Sequence, residues 1–113
     1  MKLYTIGYGG RTREELTRLL VARGVKAVVD VRRILMVADD ELHADQEAVL
    51  LCDGSDQSDL WGINLYPSLQ GDDFIEFDSM INLRPSRGNR SRGIDDPALR
   101  ELIRSIVARL VAR

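Results

Sequence analysis

The sequence predicts one α/β domain with a small, mainly parallel sheet covered by helices, a three-layer, Rossmann-like arrangement. Three observations lead there. Residues 3–33, LYTIGYGGRTREELTRLLVARGVKAVVDVRR, read as a complete strand–helix–strand unit. The run Ala27-Val28-Val29 is continuously apolar rather than alternating, as expected of a strand buried on both faces, and such strands are mostly parallel. The last eighteen residues carry an apolar stripe at helical spacing, which suits a helix lying on a sheet.

Each part of the first unit has a local reason. Leu3 to Ile6 form the first strand, and the Gly7-Tyr8-Gly9-Gly10 run that follows makes a tight turn open to close approach. Thr12 and Glu15 stand in capping-box spacing, so a helix begins there. Leu16, Leu19, Leu20 and Arg23 share one face of it, and Gly24 suits the residue after its end. A right-handed crossover would then bring Gly7–Arg11 and Asp30–Arg33 to the same carboxyl edge of the sheet. Open α/β sheets bind ligands at that edge, and a helix amino end there adds donors for an anion. The glycine pattern is neither a dinucleotide fingerprint nor a Walker loop.

Thr5-Ile6-Gly7-Tyr8, a helix, and then Val29-Asp30-Val31-Arg32 resemble the opening of the family called domain of unknown function 488. The resemblance covers about the first third of the chain. It implies an α/β fold and a site at Gly7, Asp30 and Arg32, without an established activity. The chain departs from that family at Tyr8, where histidine is usual, and Leu60-Trp61-Gly62 stands where a Cys-His-Arg hallmark would be expected.

Further along, Ile34 to Val37 extend the second strand, and Asp39-Asp40-Glu41 read as a turn or helix start. His43 is the only histidine, which excludes a two-histidine metal site, and among acidic neighbours it reads as a surface residue. Residues 48–52, AVLLC, fit a buried strand or a helix end; the Asp53-Gly54 turn favours a third strand, with Cys52 buried at its end. Trp61 to Tyr66 form another strand stopped by Pro67, with Trp61 as a core or interface anchor, and Phe74 to Phe77 form a short one. Asp72, Asp73, Glu76 and Asp78 are the best carboxylate cluster for a divalent cation, but a solvated acidic turn is the preferred reading, so no metal is expected. Residues 82–93, NLRPSRGNRSRG, read as a mobile arginine loop. Asp96 caps a helix with Pro97 at its first position and Leu99, Leu102, Ile103, Ile106, Val107, Leu110 and Val111 along one stripe.

At 113 residues with one cysteine, the chain is large enough for a core without staples, lacks an internal disulfide and suits the cytoplasm. No membrane span or leader is expected. The net charge of −2 hides segmentation: residues 1–33 hold eight Lys/Arg and three Asp/Glu, residues 34–78 hold twelve Asp/Glu and no Lys or Arg, and residues 79–113 hold eight Arg and three Asp/Glu. Basic ends folding against an acidic middle is the simplest reading. The leading functional expectation is a phosphate-bearing ligand, a nucleotide or a nucleic-acid backbone, bound at the carboxyl edge. Gly7, Gly9 and Gly10 would admit it, Arg11, Arg32 and Arg33 would supply charge, and Arg84, Arg87, Arg90 and Arg92 would close over it. Were catalysis to occur there, Asp30 would be the base and Tyr8 the acid. No cofactor is expected. The alternative is a non-catalytic module that meets nucleic acid or an acidic protein through residues 84–92.

Overall fold

The computed structural model describes residues 3–5, 25–39, 42–66 and 68–110. Five strands form one sheet: β1 (Leu3–Thr5), β2 (Val25–Asp30), β3 (Leu35–Asp39), β4 (Leu60–Leu65) and β5 (Ile75–Glu76), in the order β1-β3-β2-β4-β5. Helix α1 (His43–Cys52) follows β3, and helix α2 (Pro97–Leu110) follows the long connection after β5. The predicted helix over residues 12–23 and its capping box lie outside the described residues.

Every strand pairing is antiparallel, which overturns the mainly parallel, Rossmann-like expectation. The physical reason lies at Asp30. The predicted extension of the second strand into Ile34 is instead a tight four-residue turn, closed by a hydrogen bond from the Ile34 amide to the Asp30 carbonyl (2.9 Å). The Asp30 carboxylate accepts from the amides of Arg32 (3.0 Å) and Arg33 (2.9 Å), and Ile34 adopts φ 57°. The chain therefore reverses into β3 and pairs directly with β2. Because β1 and β2 both run against β3, with Thr5 and Asp30 both opposite Leu35, they point the same way without touching.

The continuous apolar run in β2 reflects burial on both faces, and here helices cover both faces of an antiparallel sheet. One face carries Val25, Ala27, Val29, Met36, Trp61, Ile63 and Leu65 against Ile103, Ile106, Val107 and Leu110 of α2. The smaller opposite cluster joins Val28, Leu35, Val37 and Leu60 to Leu50 of α1. Helix α2 matches its sequence: Asp96 Oδ1 accepts from the Ala98 amide (2.9 Å) as a cap, and four of its residues are buried at helical spacing.

Residues 48–52 belong to α1, not to a strand, and Cys52 is exposed at its end. The helix meets the sheet largely through polar groups. His43 donates from Nε2 to the Ile63 carbonyl (2.8 Å) and Gln46 donates to the Lys26 carbonyl (2.8 Å). Val49 and Leu51 face outward instead, so the apolar spacing gives no helical stripe.

Residues 82–93 are organised by two buried asparagines rather than being a free loop. The Asn82 side chain accepts from the Gly62 amide (2.8 Å) and donates to the Gly62 carbonyl (2.9 Å), bonding to β4 as a neighbouring strand would. Asn89 Nδ2 donates to the carbonyls of Asn82, Ser91 and Gly93, and its Oδ1 accepts from the Asp95 amide. Such fully satisfied polar groups fix one conformation. The chain just before this segment also presses close to the sheet: a Cβ on Gly62 would lie 2.6 Å from Ser79 Cβ and Oγ. Gly62→Ala therefore lowers stability by about 1–3 kcal/mol, read by urea unfolding. Adding Ser79→Gly, which vacates the space, recovers part of the loss.

Candidate functional site

The residues expected at the carboxyl edge divide into two groups. Gly7, Tyr8, Gly9, Gly10 and Arg11 lie outside the described residues. Asp30, Arg32 and Arg33 stand together at the end of β2, where they build an ion-pair and hydrogen-bond network. The Asp30 carboxylate is fully buried and, besides the two turn amides, accepts from Ser55 Oγ (2.7 Å). Arg33 donates to Ser55 Oγ (2.8 Å) and to Asp53 (2.9 Å), and Arg32 to Asp59 (2.9 Å). The acidic loop after α1 thus clamps the β2–β3 turn. Its Asp56 carboxyl is held below the usual range, chiefly by the Ser58 amide, then by the Ser58 hydroxyl, with Arg87 and Arg32 adding to it.

The four later arginines separate. Arg84 is mostly buried, donating to the Leu60 carbonyl, lying 3.6 Å from Glu47 and stacked 4.7 Å over the Trp61 ring. Burial lowers its pKa from the ordinary value, and Glu47 opposes that. Arg92 pairs with Asp78 (2.8 Å). Arg87 and Arg90 are exposed and make no side-chain ion pair among the described residues. The bridge between Arg84 and Asn89, with Gly88 in the left-handed conformation, holds them on one rigid turn.

Five of the ion pairs among the described residues cross between the charge segments of the sequence, while Arg104–Glu101 lies within the last segment. Arg32–Asp59, Arg33–Asp53, Arg84–Glu47, Arg92–Asp78 and Arg104–Asp72 each join a basic end of the chain to the acidic middle. Of the acidic run considered for a cation, Asp72 and Asp78 go to those pairs, and Glu76 accepts from Asn64 (2.9 Å) and Tyr66 (3.1 Å). No group of three or more His, Cys, Asp or Glu that could hold a metal is found among the described residues.

A cleft of about 490 Å³ opens near the other end of β2, on the α1 face of the sheet. Lys26 and Asn64, which are register partners in β2 and β4, lie in it. Leu42, His43 and Ala44 at the amino end of α1 form one wall, and Asp78 to Ile81 form the other. Tyr66 and Arg92 complete the polar lining. Lys26 is exposed and makes no ion pair among the described residues. A carbonyl only accepts, so the bond to Ile63 puts the proton on Nε2 of neutral His43 and leaves Nδ1 basic and unpartnered among the described residues. Burial lowers the His43 pKa; the Ile63 carbonyl and Asp78 oppose this, while Lys26 and Arg92 reinforce it. Residue Leu42 gives α1 no side-chain cap. Exposed Leu42 and Met80 supply an apolar rim.

Sequence reasoning placed His43 on the surface and did not associate it with Lys26, Asn64 or residues 78–81. The one available sign was an unmatched histidine three residues before Gln46, a spacing that puts both on one helix face.

The model of the family Protein of unknown function (DUF5674) matches residues 10–110, and the chain belongs to that family. The match supports a family of unknown function but not the resemblance to domain of unknown function 488. No curated protein and no solved structure matches the chain. Among the described residues no helix is long and apolar enough to cross a membrane.

The half-buried imidazole has a measurable consequence for folding. Its folded pKa lies below the ordinary value of 6.5, so the unfolded chain binds more protons in the interval between the two. His43 therefore weakens the fold as pH falls through that interval, and its effect is constant above and below. Comparing urea midpoints of wild type and His43→Gln across pH isolates this slope, which the variant lacks.

Proposed function

We propose that the protein binds a small phosphate-bearing molecule in the cleft between α1 and residues 78–81. The observation that carries this reading is the convergence there of Lys26 and His43, whose ammonium and Nδ1 have no partner among the described residues, around a volume suited to a small ligand. Asp78 does not oppose an anion strongly, because Arg92 already neutralises it. Leu42 and Met80 give the organic part of the ligand an apolar surface. At the carboxyl edge, by contrast, Arg32 and Arg33 are engaged by aspartates. A ligand there would have to displace those pairs or draw on residues 7–11. Binding, not turnover, is the activity proposed.

Thermal shifts with a panel of mononucleotides and sugar phosphates test the location. A stabilising ligand loses its effect in Lys26→Met and keeps it in Arg32→Ala; the reverse pattern moves the site to the carboxyl edge and refutes the cleft.

A second reading is supported by Arg87 and Arg90, whose guanidinium groups have no ion pair among the described residues and stand on a turn already fixed by Asn89. The turn has no aromatic side chain for base stacking, so phosphate backbone is the partner that suits it. In a salt series on a labelled DNA duplex, Arg87→Gln with Arg90→Gln lowers the slope of log affinity against log salt by about 2. An unchanged slope removes this reading.

A further inference from the structure

We infer that His43 is the specificity-determining residue of the cleft, accepting a proton as a phosphate monoester binds beside Lys26 as the dianion. The inference rests on the cleft reading above and identifies the kind of phosphate it takes.

The argument starts from the imidazole's fixed orientation. Nε2–H is held by the Ile63 carbonyl at 2.8 Å, so a proton can be added only at Nδ1. Among the described residues, the charged groups facing the ring are Lys26 from β2, and Asp78 and Arg92 from the segments packed against α1. Asn64 and Tyr66 from β4 and its end are neutral; the Tyr66 hydroxyl is kept protonated by burial and by Glu76. The amino end of α1 adds partial positive charge. With Asp78 paired to Arg92, the balance in the empty cleft disfavours an imidazolium. A dianion seated next to Lys26 reverses that balance: one negative charge is met by the ammonium, and the second favours protonation of Nδ1.

The proton balance closes either way. A ligand arriving as the monoanion transfers its own proton to Nδ1, and a ligand arriving as the dianion binds with net uptake of one proton at Nδ1 from the buffer acid. Both routes end in imidazolium and dianion. A phosphodiester carries a single charge already met by Lys26 and has no second ionisation, so it gains nothing from His43. The cleft should therefore prefer monoesters to diesters.

The chain has one histidine, so one imidazole resonance reports the site without assignment. Its pH titration by proton NMR is followed alone, with methyl phosphate and with dimethyl phosphate, while amide shifts of Lys26 and Asn64 report occupancy. Methyl phosphate is expected to raise the His43 midpoint by about one pH unit or more, equivalent by linkage to a tenfold gain in affinity on acidification. Dimethyl phosphate is expected to leave it in place. In His43→Gln, whose amide can still donate to Ile63, methyl phosphate affinity loses the component of its pH dependence that does not come from the ligand's own ionisation. If methyl phosphate moves the Lys26 and Asn64 amides but not the His43 midpoint, the inference fails and the cleft reading survives. Equal midpoint shifts with both esters overturn the monoester preference. No amide shift with either ester overturns the inference and the phosphate reading together.

Discussion

Much of this molecule depends on one pair of reciprocal hydrogen bonds, between the side chain of Asn82 and the backbone of Gly62. Strand β5 is only two residues long and pairs with β4 at Asn64 and Leu65, so the β4 backbone beyond that point needs another partner. Asn82 supplies it with one amide group, and a second bond from its Nδ2 to the Arg92 carbonyl secures the return of the chain. Buried backbone groups left unmet cost about 1–3 kcal/mol each, so the position tolerates few alternatives. Because the bonds also fix where residues 79–82 cross the sheet, they set one wall of the cleft.

The charge distribution serves the same architecture. Acidic residues from the middle of the chain meet arginines from its first and last thirds. The pairs are dispersed around the sheet, which limits their individual strength, since exposed ones contribute about 0–1 kcal/mol. Their larger effect is selective: cations that pair become structural, and those that do not remain available. Among the described residues Lys26, Arg87, Arg90, Arg100 and Arg109 make no ion pair; the sequence points to Arg87 and Arg90 through the arginine-rich run and gives no reason to single out Lys26.

How far the sequence could be read follows from where each element gets its stability. Helix α2 was legible because its cap, its first-turn proline and its apolar stripe are all local. Strands β4 and β5 were legible from their composition. Sheet direction was not, because a strand covered on both faces looks alike in parallel and antiparallel surroundings. The turn that decides the matter, Asp30 to Ile34, contains neither glycine nor proline and lies between apolar runs. Helix α1 was misread because hydrogen bonds from His43 and Gln46 replace apolar packing against the sheet, while Val49 and Leu51 face outward. The cleft was hidden for a different reason: residues 26, 43, 64 and 78–81 meet only through the antiparallel register that pairs Lys26 with Asn64.

Ile34 carries a last consequence, concerning what holds the turn. A β-branched residue with φ 57° is in a region that costs about 1–2 kcal/mol for L-residues. Its side chain packs against the cluster to which Ile103, Ile106 and Val107 of α2 contribute. The strain at Ile34 thus works against the β2–β3 hairpin, and the Asp30 hydrogen bonds of the turn together with packing in that cluster offset it. The turn of a hairpin between sequence neighbours is thus held in a locally unfavourable conformation by a core assembled from distant parts of the chain.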